Sequence, residues 1–238
     1  MYMKDILLKN KHKKYFLLQR NEFFSDKQKK IRKIFGRYLF TNIFVSYLNP
    51  IKNLNLKLNQ EFKKEFDEII NYLPQKSQNI LDIGSGLGII NVFVNDYYNH
   101  IIDFTLIDKN YTEKKVSYGF DEKGQFYNDF DATLDLLTNN GISKEKLSII
   151  SVESKHTINK KFDLVISLLS LAYHYPIDQY LEFFNKNTHR NTRFIFDIAK
   201  EYNDYNKISK MFYSIIIIKH STELRHNYLR VCCEGFKN

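Results

Sequence analysis

Leu81-Asp82-Ile83-Gly84-Ser85-Gly86-Leu87-Gly88 is the stretch of this 238-residue sequence that decides its fold. A short apolar strand over residues 79–83 runs into glycines at every second position. An apolar helix then follows through Ile89, Ile90, Phe93 and Val94. Glycines in such a turn let the backbone pass close to a ligand at a helix N-terminus, where unpaired N–H groups collect. A dinucleotide fingerprint needs its third glycine one place later, where Ile89 stands, so the G-x-G-x-G spacing argues against a nicotinamide cofactor. Residues 104–107 read as the next strand and end on Asp108, an acid placed to accept both hydroxyls of a ribose.

Outward from this turn the elements keep alternating. Asn128 is placed to cap a helix through Phe130, Leu134 and Leu137, with Gly141 as its C′ residue. Residues 147–152, 163–167 and 193–196 read as further strands. Pro176 opens a helix through Tyr180, Leu181 and Phe184 between the last two. Strand and helix in alternation imply a parallel sheet covered on both faces, a doubly wound α/β fold. Residues 212–219 and 228–233 read instead as two strands joined by a polar turn, an antiparallel hairpin edge.

Upstream, Ser25 and Gln28 form a capping box for a helix carrying Ile31, Ile34, Phe35, Tyr38 and Leu39 on one face. A second helix starts near Asn59, carries Phe62, Phe66, Ile69, Ile70 and Leu73, and stops before Pro74. The expected division is a basic helical extension over residues 1–58, laid as a lid or substrate cap on a domain over 59–238.

Composition narrows the classes. With 43% hydrophobic and 16% aromatic residues the chain can bury a sizeable core, which excludes wholesale disorder. No run approaches 18 apolar residues, the longest aliphatic one being residues 215–218, so no membrane span is expected. The opening MYMKDILLKNKHKK lacks an apolar core and a small-residue cleavage site, unlike a signal peptide. The two cysteines, Cys232 and Cys233, are adjacent and cannot staple distant segments, so a reducing, cytoplasmic setting is expected. No His, Cys or Asp spacing suggests a metal. Residues 1–50 hold twelve Lys/Arg against Asp5, Glu22 and Asp26, which accounts for the whole net charge of +9. A basic arm on a neutral body suits an anionic partner such as nucleic acid. The same Lys, Asn and Ile excess is what an AT-rich coding sequence produces.

The glycine turn, the strand before it, the helix after it and Asp108 together resemble the class I S-adenosylmethionine-dependent methyltransferases, over roughly residues 60–235. The resemblance implies a Rossmann-like methyltransferase fold: a mostly parallel seven-stranded sheet with the hairpin at its edge. It implies S-adenosylmethionine as cofactor, with S-adenosylhomocysteine as product. It places Gly84, Ser85, Gly86 and Gly88 along the methionine and ribose end, with Asp82 steadying the turn and the cofactor amino group and Asp108 on the ribose. Glu153, after the third strand, is the candidate for the adenine amine, although the family's common Gly-Asp pair is missing there. Ser167, at the end of the fourth strand, completes the cofactor set.

In this fold the loop leaving the fourth strand faces the transferable methyl. Here it contains Tyr173-His174-Tyr175-Pro176. The imidazole of His174 has the ordinary pKa of a general base near neutrality, and Tyr173 and Tyr175 would shape an acceptor pocket. The alternative is that His174 caps the helix beginning at Pro176, with the tyrosines as packing. No Asn-Pro-Pro-Tyr or Asp-Pro-Pro-Tyr stands at this strand end, which disfavours adenine amino methylation, and the cysteines lie far from it. An aromatic insert over residues 109–127, with Tyr111, Tyr118, Phe120, Phe126 and Tyr127, departs from the family pattern. Its motifs are similar to those of sugar methyltransferases of polysaccharide biosynthesis, which implies a small-molecule acceptor such as a sugar or sugar nucleotide. The alternatives are an RNA-modifying enzyme that uses the basic arm and a non-catalytic binding protein.

Overall fold

The computed structural model describes residues 4–35, 40, 49–110, 128–174, 176–200, 205–222 and 227–237. Its strands are β1 (Asn79–Ile83), β2 (Asp103–Asp108), β3 (Leu147–Ser151), β4 (Phe162–Ser167), β5 (Thr188–Ala199), β6 (Phe212–His220) and β7 (Tyr228–Phe236). They form one sheet in the order β3-β2-β1-β4-β5-β7-β6. The first five strands are parallel, and β7 inserts antiparallel between β5 and β6. The doubly wound sheet and hairpin edge expected from the sequence are therefore present.

Alternation along each strand supplies two cores. Ile80, Leu106, Leu164, Ile195 and Cys232 face one side; Leu81, Ile107, Val165, Phe194 and Cys233 face the other. The adjacent cysteines thus point into opposite cores, both buried and free. The first core is covered by α1 (Asn10–Gln19), α3 (Ile51–Ile69), α4 (Ile89–Tyr97) and α5 (Phe130–Asn139). The second lies under residues 177–180, α6 (Leu181–Asn187) and α7 (Tyr205–Met211).

The N-terminal region departs from expectation. The α3 helix begins at Ile51 after Pro50, not near Asn59, because Leu54 and Leu58 continue the apolar stripe of Phe62 and Phe66. It therefore runs through the expected 58/59 division. Ile6, Leu8, Phe16 and Leu17 share a core with Phe62 and Ile80, each full burial contributing about 1.5–3 kcal/mol. Much of this anchorage belongs to α1, a helix whose first half, with Lys11, Lys13 and Lys14, hides its apolar positions. Its His12 is fully buried: Lys9 N–H donates to Nδ1 (3.1 Å), leaving Nε2–H for Asp135 (2.9 Å).

The Ser25–Gln28 capping box is present in both directions, at 2.8 and 3.3 Å. It opens α2 (Asp26–Phe35), whose expected apolar face is not buried. Ile34 is 79% and Phe35 44% exposed, and only Ile31 packs against the core. Tyr38 and Leu39 lie outside the described residues. No helix among the described residues is long and apolar enough to cross a membrane, and none of their His, Cys, Asp and Glu side chains cluster as a metal site.

Candidate active site

The glycine turn closes β1 by left-handed backbone at three positions, φ +69° at Gly84, +55° at Gly86 and +69° at Gly88. A Cβ at Gly88 would stand 2.9 Å from Leu106 Cδ2 and 3.2 Å from Leu137 Cδ1, so this glycine lets α4 start close against the sheet. The turn is wired to the next strand. Gly84 N–H donates to Ile107 O (2.7 Å) and Gly86 N–H to Asp108 Oδ2 (2.6 Å), while Lys109 N–H reaches Asp108 Oδ1 (2.7 Å). The Ser85 carbonyl accepts from Gly88 N–H (2.8 Å). Asn128, expected as a helix cap, instead donates to Gly86 O (2.9 Å), with the Thr133 hydroxyl 3.1 Å from the same oxygen. The cap of α5 is Asp129, which accepts from Ala132 N–H (2.9 Å). Gly141 does follow α5 in left-handed backbone, at φ +96°.

Two buried acids flank this turn. Asp82 accepts from Asn91 Nδ2 (2.6 Å), and burial, with the Asp108 charge adding to it, pushes its carboxyl up to about 7. Burial raises Asp108 to about 6 against the backbone N–H bonds of Lys109 and Gly86. No ion pair reaches either acid among the described residues. The neighbouring Lys109 charge offsets burial at Asp108 only in part, and a ligand bringing positive charge or hydroxyl donors would favour both carboxylates.

The sequence did not indicate Gln19. This last residue of α1 accepts from Leu87 N–H through Oε1 (3.2 Å). A Cβ at Gly86 would come within 2.6 Å of the same oxygen. The N-terminal segment therefore lies directly on the glycine turn, and the room above Gly86 belongs in part to the chain itself.

The loop after β4 is the opposite wall. Ser167 is fully buried; its hydroxyl donates to Ile83 O (2.7 Å) and accepts from Leu171 N–H (2.9 Å), so it ties the loop to β1. Asp197, near the end of β5, accepts from Leu169 N–H (3.0 Å). Leu169 and Ala172 hold φ of +55° and +60°. His174 N–H donates to Ser170 O (2.8 Å), and its half-buried ring meets Tyr173 edge-on at 4.7 Å; Tyr173 in turn meets Tyr228 at 6.2 Å. Tyr175 and most of the aromatic insert lie outside the described residues. Glu153 stands in the turn after β3, exposed and bonded to the Ser151 hydroxyl, which holds its carboxyl below the ordinary range.

No protein-family profile matches the chain, and no curated protein sequence does. Solved structures do. A candidate O-methyltransferase from Nostoc punctiforme superposes with a TM-score of 0.52 at 9% identity, over 77% of this chain. The chain spans 58% of that protein's length. A candidate O-methyltransferase from Klebsiella pneumoniae superposes with a TM-score of 0.51 at 9% identity, over 88% of this chain and 99% of its own. These likenesses and the strand order agree.

The chain has the class I methyltransferase fold.

In a methyltransferase fold of this topology β1 and β4 are neighbours. The glycine turn and the His174 loop leave the same edge of the sheet, the carboxyl edge where open α/β folds bind ligands. The sequence had named residues from both walls. It missed Gln19 and Asp197 and gave Asn128 a different role. Of these, only Asp197 had a visible signal, a charge set inside the apolar strand Phe194-Ile195-Phe196-Asp197-Ile198.

Proposed function

We propose that this chain is an S-adenosylmethionine-dependent methyltransferase acting on a hydroxyl of a small molecule such as a sugar or sugar nucleotide. One observation carries the cofactor reading: a glycine turn at a helix N-terminus, flanked by two buried carboxyls that make no ion pair among the described residues. S-adenosylmethionine would supply positive charge and ribose hydroxyls to these acids, and it carries a methyl already activated on sulfur. Gly84, Ser85, Gly86 and Gly88 would line it, Asp82 would face its amino end, and Asp108 would hold the ribose while keeping the turn closed through Gly86 N–H. Glu153 would meet the adenine amine. Ser167 would act by fixing the loop rather than by direct contact.

For a hydroxyl acceptor the chain must orient the oxygen, exclude water and receive a proton. The His174 imidazole would take that proton, and Tyr173 and Tyr175 would form the acceptor's walls. The half-buried position of His174 on the loop pinned by Ser167 and Asp197 supports this assignment.

Calorimetry tests the cofactor, and labelled cofactor tests the acceptor. Wild-type protein should bind S-adenosylmethionine but not NAD, and Asp108→Ala should weaken binding by about 1.5–3 kcal/mol, the value of lost charge-assisted hydrogen bonds. Transfer of label to sugar nucleotides, lowered about 10²–10⁴-fold by His174→Ala, is the expected outcome. Label passing to total RNA instead would move the acceptor to the nucleic-acid class.

A further inference from the structure

Arg230 of β7 is fully buried, and the proposed chemistry does not use it. It lies directly across the strand pair from Asp197, also fully buried. Arg230 Nε donates to Asp197 Oδ1 (2.8 Å) and Nη2 to Oδ2 (2.9 Å). Burial lifts the Asp197 carboxyl above its ordinary range, but this two-pronged fit is that of a guanidinium on a carboxylate. The same guanidinium reaches α3, with Nη2 at 3.0 Å from Glu65 and Nη1 at 2.9 Å from Glu68. Although burial opposes its charge, Asp197 and Glu65 raise Arg230 well above the usual range.

The chain of charges continues in both directions. Glu65 accepts from Arg20 (2.9 Å), whose guanidinium lies over the Phe62 ring at 4.6 Å. Burial alone would raise the Glu65 carboxyl, but Arg20 and then Arg230 hold it below its ordinary range. Arg20 caps the C-terminus of α1, directly after Gln19 on the glycine turn. At the other end, Asp197 accepts from Leu169 N–H in the loop that carries His174. Four hydrogen-bonded charges, Arg20, Glu65, Arg230 and Asp197, thus join the segment over the turn, through Gln19 next to Arg20 in the chain, to the loop opposite it, through Leu169 N–H.

The geometry points to a positioning device: this ionic path registers the two walls of the site to each other, so that the order of residues 10–20 over the glycine turn and the order of residues 168–174 are set together. The inference deepens the reading of the site as a cofactor-and-acceptor cleft and rests on it for its purpose. The coupling itself is a property of the protein alone. Arg20, Glu65, Arg230 and Asp197 act through Gln19 and Leu169.

Hydrogen exchange of the full chain, followed by mass spectrometry, tests the coupling without a ligand. Arg20→Met, at the rim of the path, should accelerate exchange over residues 10–20 and also over 168–174. The expected factor is about 2- to 30-fold, the range for couplings carried by such networks. Arg20→Lys should restore most of the protection at both ends. Asp197→Asn should act in the opposite direction, loosening residues 10–20 from the loop end. If that variant does not fold, Arg20→Met decides alone. Acceleration confined to the end that was mutated would overturn the inference. S-adenosylhomocysteine is the probe in a parallel calorimetric arm, where Arg20→Met should bind it about 2- to 30-fold more weakly than wild type. Wild-type protein that binds none counts against the cofactor reading; exchange that stays local counts against the coupling.

Discussion

The turns leaving β1 and β4 reach the same left-handed backbone by different means. The first uses glycines, at φ +55° to +69°; the second uses Leu169 and Ala172, at +55° and +60°. A side chain in that region costs about 1–2 kcal/mol, so the β4 loop is held in a shape that its sequence resists. Ser167 and Asp197 supply the hydrogen bonds that hold it. Their acids differ in the same way. Asp197 is matched by Arg230, whereas Asp82 and Asp108 rest on neutral donors. One turn is relaxed in backbone but unsatisfied in charge, as a ligand site should be. The other is strained in backbone but satisfied in charge, as a fixed wall should be.

The largest expected effect attacks the charge half of this contrast. The Asp82 carboxyl is raised from 3.8 to about 7, so the folded chain keeps a proton that the unfolded chain releases. The stability this gives is fully present below about pH 4 and is lost as pH rises through about 7. At about 1.4 kcal/mol per pKa unit the loss is on the order of 4 kcal/mol. Asp82→Asn cannot titrate, so denaturation curves collected from pH 4 to 8 should show the variant gaining on wild type as pH rises. Parallel pH profiles would mean that Asp82 is not the unsatisfied acid described above.

A smaller effect probes the relaxed backbone. Gly88→Ala must place a methyl against Leu106 and Leu137 at φ +69°. We expect a loss of about 2–3 kcal/mol in urea unfolding, backbone strain and overpacking together. Wild-type stability in this variant would show that the turn does not need its third glycine. The smallest effect is a near-cancellation. Ala172→Gly, at nearly the same φ, relieves about 1–2 kcal/mol of strain, while glycine's greater unfolded-state entropy and the loss of a buried methyl together cost about as much. Urea unfolding should show stability within about 0.5 kcal/mol of wild type. A clear destabilisation by Ala172→Gly would remove the strained half of the comparison.

Legibility in the sequence followed the range of the interactions. The parallel strands, the glycine turn, Asp108 and the capping box of α2 are specified within a few neighbouring residues, and each stands where the local pattern put it. The first helix was hidden because the positions it buries include His12 and Lys13, and His12 finds Asp135 only across 123 residues. Asn128 looked like a cap because its neighbour Asp129 does that work, while its own amide serves Gly86 across 42 residues. The spacing of α2 implies an apolar face to bury, yet Ile34 and Phe35 are exposed, because periodicity announces a face without naming what covers it. Gln19 meets the glycine turn across 68 residues, a pairing that no spacing rule reaches.

The separations along the ionic path also set an order of assembly. Arg20 and Glu65 stand 45 residues apart, but Arg230 meets Glu65 only across 165. Synthesis delivers the early segments first. The helix above the glycine turn can therefore lean on Glu65 long before β7 exists, with Asp197 still lacking its guanidinium and the β4 loop still lacking its anchor. β7, the last of the described strands in chain order, completes the seat of α1. A chain stalled before β7 would contain every glycine of the turn and still have a half-built cleft, its two walls not yet joined through Arg230.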